Sequence, residues 1–333
     1  MKLHRILLPV LTAAILAAVP GCKKENTESK EFDGYLALKM PSFIEAGDSK
    51  TFMVDTMMTL SADGEKIGYY FYDAHTGKSD TLVTADGVIR NHFYTYTAPD
   101  ALETMTLTFG AFPSKNSSYN STRTSTSFIV VRPGLSGNGS ITNFDKSLPR
   151  MFTDYRDGRT YYYTTIGSHR WMRQNLAWTG SGRAIDGCEV MTDVFGRYYT
   201  WEEAQTACPD GWRLPSDAEW SALQEGAEAG KDTPGLAGKI MGDLYFNGAK
   251  MWEYWRDVKI TDELRLSIMP VGYGQMEENK CDFDGLYSYA AFWTSDEADG
   301  QGVCRYIYQD KDIVYRGLMP KTDFAASVRC IRE

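Results

Sequence analysis

Between Thr200 and Trp220 the chain reads TWEEAQTACPDGWRLPSDAEW, a string that dictates two short helices at a fixed interval. Thr200 to Cys208 reads as a helix stopped by Cys208-Pro209-Asp210-Gly211, because proline removes a backbone donor and glycine supplies an open backbone. Ser216-Asp217-Ala218-Glu219 is a capping box: Ser216 can accept from the amide three residues on, and Glu219 can reach back. It opens a second helix carrying Trp220 and Leu223. Thr160 to Ile166, Leu266 to Val271, Ala291 to Thr294, Val303 to Tyr308 and Ser327 to Arg332 read as strands. Two helices followed by a strand-rich stretch imply an α+β domain over residues 144–333. All 8 Trp and every cysteine except Cys22 fall in it.

The preceding region has a different texture. Tyr35 to Met40, Lys50 to Leu60, Lys66 to Tyr72, Phe93 to Thr97, Glu103 to Phe112 and Ser125 to Val131 are rich in β-branched and aromatic residues, with turn residues between them. Met105, Leu107 and Phe109 alternate with threonines, the period of a half-buried strand. Residues 35–133 are therefore expected to form an all-β, immunoglobulin-like sandwich without an internal disulfide. The Gly/Ser/Asn-rich residues 134–143 are expected to be a linker. A length of 333 residues suits two such domains. The net charge of -9, with no basic stripe, argues against a nucleic-acid partner.

An apolar run from Ile6 to Val19 follows Lys2, His4 and Arg5, the order of a secretory leader and too short for a membrane span. It ends in Val19-Pro20-Gly21-Cys22, which resembles the bacterial lipobox, where cleavage precedes a diacylated cysteine. Residues 1–21 are thus expected to be removed. Cys22 would carry the lipid that makes a bilayer the first partner, and residues 22–34 would be a flexible tether.

In the second half, Tyr155-Arg156-Asp157-Gly158, Arg170-Trp171-Met172-Arg173-Gln174-Asn175-Leu176, Gly196-Arg197-Tyr198-Tyr199-Thr200-Trp201, Ala207 to Pro215, Phe292-Trp293-Thr294-Ser295 and Ser327-Val328-Arg329-Cys330 occur in one order. They resemble, over about residues 150–332, the FISUMP domain, the major paralogous domain of Fibrobacter succinogenes that is widespread in Bacteroidetes surface lipoproteins. The resemblance implies a C-type-lectin-like fold with its first and last strands side by side. It also implies a disulfide between Cys208 and Cys330, closing a loop of about 120 residues worth roughly 4 to 5 kcal/mol. Cys188, Cys281 and Cys304 stay unassigned. The location it implies is the outer membrane, facing the cell surface or the periplasm. Asp55-Thr56-Met57 and Asp80-Thr81-Leu82 resemble the O-glycosylation motif of the same bacteria.

Catalytic signatures do not stand out. His169 is the one histidine of the second half and reads as a satisfied or surface residue. There is no HExxH, GxSxG or Walker loop. Asp282, Asp284, Asp296, Glu297 and Asp299 supply hard oxygen ligands that calcium could use, or simply form a solvated acidic face; no other cofactor is indicated. For a glycan or protein ligand, the aromatic side chains outside the motif strings are the candidates: Trp178, Trp252, Tyr254 and Trp255. The expectation is an exported, lipid-anchored, non-catalytic binding protein. The alternatives are a structural or tip subunit of a surface assembly such as a fimbria, and an enzyme modifying polysaccharide or protein.

Overall fold

The computed structural model describes residues 35–38, 40–56, 67–83, 92–100, 104–113, 120–132, 141–147, 150–278 and 280–333. The leader, Cys22, the tether and most of the expected linker lie outside them, as do Met57 and the side chains of Asp55, Thr56, Asp80, Thr81 and Leu82. The described residues are β-rich, and the helices among them have at most two turns.

In the first half, Leu36–Leu38, Ser49–Thr56 and His92–Thr97 form one antiparallel sheet. Phe43–Glu45, Thr122–Val131, Thr104–Pro113, Ile67–Asp73 and Lys78–Val83 form a second, in that order. The alternation read at Met105, Leu107 and Phe109 is realised: all three are buried, against Tyr69, Phe71 and Phe128. The two sheets meet through aromatic pairs, Phe71 on Tyr94 at 4.1 Å and Tyr96 against Phe128 at 5.3 Å. Phe43–Glu45 and Lys78–Val83 are strands not foreseen, the second because its polar residues hide the pattern.

In the second half, Met151–Asp154, Arg159–Ile166, His169–Met172 and the C-terminal Ile331–Arg332 make one sheet, so the chain end lies beside an early strand. The larger sheet runs Thr233–Pro234, Ile313–Met319, Gln301–Tyr308, Tyr289–Ala298, Val271–Glu277 and Lys280–Leu286. One of its faces packs Ala290, Phe292, Ile307 and Val314 with Trp220 and Trp252. The other packs Ala291, Trp293 and Cys304 with Tyr199 and Ala204. Trp201–Ala207 covers one end of that second face. Gly302 makes this possible, because a Cβ there would sit 2.4 Å from the Trp201 ring.

Two of the expected strands of this half take another course. Leu266 to Val271 is not a strand, since Arg265 and Ser267 have positive φ and Pro270 has no donor; pairing begins at Val271 and continues to Glu277. Only Ile331–Arg332 pairs as a strand at the chain end, while Ser327 to Cys330 threads through the core.

Ile141–Thr142, at the end of the expected linker, pairs with Tyr245–Phe246. The halves also share an apolar cluster. The Phe43 ring lies 5.5 Å from Phe195 and 5.8 Å from Phe246, with Val131 buried alongside. Asp186, at φ 52°, accepts from the Ser42 amide at 2.6 Å across this joint.

Candidate functional site: a tyrosine-lined groove

Most residues of the ordered motifs are internal supports. Arg329 donates from Nε to Asn175 Oδ1 at 2.6 Å and from Nη1 to the carbonyls of Leu266 and Met172. Arg173 donates to the carbonyls of Arg265 and Asp145 and to Ser267 Oγ. Burial pulls the Arg329 guanidinium down to about 9, with Asp262 acting in the opposite sense. Both helices carry a complete capping box, Ser216 with Glu219 and, unforeseen, Thr200 with Glu203. Cys208 and Cys330 are bonded, Cα to Cα 5.9 Å, so the end of the first of these helices is stapled to the chain terminus. His169 sits 3.2 Å from Glu219, which Arg213 also holds.

The four aromatic candidates are not brought together. Trp252 is a correction: it has no exposure, and its Nε1 donates to the Ile268 carbonyl at 2.8 Å. An indole that finds a backbone acceptor can be fully buried, and this one has no face left for a ligand. Its neighbours Tyr254 and Trp255 are 82% and 38% exposed, on a loop anchored in the opposite face of the large sheet from Trp178. Trp178 is half-buried beneath the Arg156 guanidinium at 4.1 Å.

The five carboxylates proposed for calcium are also separated. Asp282 and Asp284 belong to the Lys280–Leu286 strand, whereas Asp296, Glu297 and Asp299 lie at the far hairpin. Asp282 pairs with Lys280, Glu297 with Lys321, and Asp296 accepts from the Asp217 amide. Among the described residues, no three His, Cys, Asp or Glu side chains group as a metal site.

What the strand register does assemble is a tyrosine surface. Tyr289 pairs with Tyr308, and Tyr306 with Tyr315, so all four rings project on one side. Tyr306 and Tyr315 stack at 5.3 Å, and Tyr308 meets Tyr289 at 5.0 Å. Tyr273 extends the row from the neighbouring strand, stacked on Phe324 at 5.2 Å. This is the same sheet face that Trp201–Ala207 covers at its other end; beyond that helix the rings open to solvent, and Tyr308 is 46% exposed.

The opening is a groove of about 670 Å³, with Tyr273, Tyr289, Tyr308, Met319 and Phe324 as apolar lining. Gln275, Glu277, Asp284, Ser288 and Asp323 supply polar groups around it. Burial, and then the Asp284 charge, pushes the Tyr273 phenol up; burial does the same to Tyr289 and Tyr306. These phenols therefore stay protonated and can donate. The arrangement offers apolar ring surface edged with hydrogen-bonding groups, which is the composition of a ligand site. The tyrosines were not singled out in the sequence, although Tyr306 and Tyr308 stand at the two-residue spacing of one strand face.

No curated protein and no solved structure matches the chain. The family model of the Fibrobacter succinogenes major domain matches residues 164–332, which takes in the motif core, both helices, the disulfide and the tyrosine surface. The chain therefore belongs to the Fibrobacter succinogenes major domain family.

Proposed function

We propose that this is an exported lipoprotein, anchored through Cys22 in the outer membrane, whose second half binds a glycan or protein ligand without chemically altering it. The first half, read as an immunoglobulin-like sandwich, acts as the spacer. The second, read as C-type-lectin-like, carries the site. The observation that supports binding is the tyrosine groove: a sheet face left open beyond the end that a helix covers. Aromatic surface of this kind is costly to expose to water and gains from being covered.

The shared cluster around Phe43, Phe195 and Phe246 supports a further part of the reading, since it would hold the groove at a set orientation to the spacer. The test is an array of glycans and surface proteins probed with residues 23–333, beside the Tyr308→Ala and Trp255→Ala variants. Signal lost with Tyr308→Ala and kept with Trp255→Ala is the expected outcome. Retention of every signal in Tyr308→Ala, or turnover of a bound ligand, would refute it.

A further inference from the structure

The charge of the groove narrows what it takes, given the binding reading above. In the hairpin that forms one wall, Tyr273 pairs with Asp284, Gln275 with Asp282 and Glu277 with Lys280, so these side chains share the side that bears the tyrosines. Asp323, whose carbonyl accepts from the Met276 amide at 2.8 Å, also lines the groove. Lys280 is the cation on this stretch, and Asp282 engages it at 2.8 Å. Glu277, Asp284 and Asp323 are exposed and enter no ion pair among the described residues. Among the described residues, no lysine or arginine lines the groove. Arg305 and Arg316, from the strands beneath, project to the opposite face and are held by Asp217.

The ring geometry points the same way. Tyr273 meets Tyr289 at 72°, and Tyr289 meets Tyr308 at 59°, so the three rings that line the groove do not form a flat shelf. A flat shelf suits the apolar face of a sugar ring. Ring faces set at large angles, each with a negative quadrupole, surround an ammonium or guanidinium group, and unpaired carboxylates around them add attraction. The same carboxylates repel an acidic glycan.

We propose that the groove receives a lysine or arginine side chain from a basic segment of a protein partner. The alkyl stem of such a side chain would lie along Met319 and Phe324 while its charged end meets the tyrosines and Glu277, Asp284 and Asp323.

The test uses residues 23–333 and four probes: a ten-residue Gly–Lys repeat peptide, its Gly–Glu counterpart, and a neutral and a uronic-acid hexasaccharide. The Gly–Lys peptide is expected to bind, and to weaken about tenfold or more as salt rises from about 50 to about 300 mM. Tyr308→Ala should weaken it about tenfold, and so should Glu277→Gln combined with Asp284→Asn. Glu253→Gln with Asp257→Asn, exposed carboxylates outside the groove, should leave it unchanged, which separates the groove from the general negative charge of the chain. An unaltered unfolding midpoint shows that each variant is folded.

Neutral hexasaccharide binding that is lost in Tyr308→Ala but kept in the carboxamide pair would overturn the cationic ligand and leave groove binding standing. Gly–Lys binding unaffected by either groove variant would overturn the inference, as would no binding of that peptide. Self-association abolished by Tyr308→Ala would also overturn it, by assigning the face to a second copy of the chain. Failure of the binding reading itself is separable: in that case no array ligand of any class depends on Tyr308.

Discussion

Arg305 donates from Nε to Asp217 Oδ1 at 2.6 Å in a site where the arginine side chain has no exposure. Its remaining donors reach the Lys231 and Asp217 carbonyls, Thr233 Oγ1 and Ser221 Oγ, so the guanidinium is saturated. Asp217 in turn takes Arg316 and the Gly230 amide on its other oxygen. This network ties the second capped helix to the underside of the strand that carries Tyr306 and Tyr308.

Removing one partner of a buried pair leaves the other charge uncompensated. Arg305→Met should therefore destabilise the chain by about 3–5 kcal/mol. Arg316→Met, at a partly exposed position, should cost about 1 kcal/mol or less. Urea unfolding of both variants checks the ranking, and equal losses would contradict it.

The Cys208–Cys330 bond spans 122 residues of sequence. In the chain-entropy model such a closure is worth roughly 4 to 5 kcal/mol. Cys330→Ala, or reduction, should lower the unfolding midpoint by a corresponding amount. A reduced chain that unfolds at the same denaturant concentration as the oxidised one would refute this.

Burial pushes the Cys188 and Cys304 thiols up to about 12 and Cys281 up to about 11. The thiolate is the reactive form, so alkylation of native residues 23–333 near neutral pH should be slow, with half-buried Cys281 modified first. Unfolding without reductant should expose all three. Rapid native labelling of Cys304 would be inconsistent with its position between the sheet and its helix.

Burial pushes the Asp186 and Asp262 carboxyls up to about 6 from 3.8. A carboxyl that holds its proton more tightly when folded contributes stability below its unfolded value, and that contribution is lost as pH rises to about 6. Glu219 works in the other sense. Burial raises it, but Arg213 and Ser216 together outweigh this and hold it at about 2, so its contribution is present above 4.5 and lost on acidification. Asp186→Asn should remove a decline of at most roughly 3 kcal/mol between about pH 4 and pH 6. Asparagine tolerates the positive φ found there. Denaturant unfolding at the two pH values compares the slopes, and identical slopes would contradict the assignment.

The scaffold was legible because its signals are local. The Ser216–Glu219 box and the Pro209–Gly211 stop lie within a few residues of what they control, and Thr200–Glu203 carries the same signature. The family string supplied the long-range disulfide, which no local signal could. The groove depends on register between strands, which pairs Tyr289 with Tyr308 and Tyr306 with Tyr315. Lys280–Leu286 does not read as a strand because Lys280, Asp282 and Asp284 interrupt any apolar pattern. Trp252 reads as a ligand candidate because it lies outside the motif strings, whereas the Ile268 carbonyl lets that indole go inside.

The most direct measurement is isothermal titration of residues 23–333 with the strongest array ligand, wild type against Tyr308→Ala, with both unfolding midpoints recorded. The account predicts about a tenfold loss of affinity, corresponding to about 1.4 kcal/mol, at an unchanged midpoint. Equal affinity in the two proteins would show that the tyrosine groove is not the binding site.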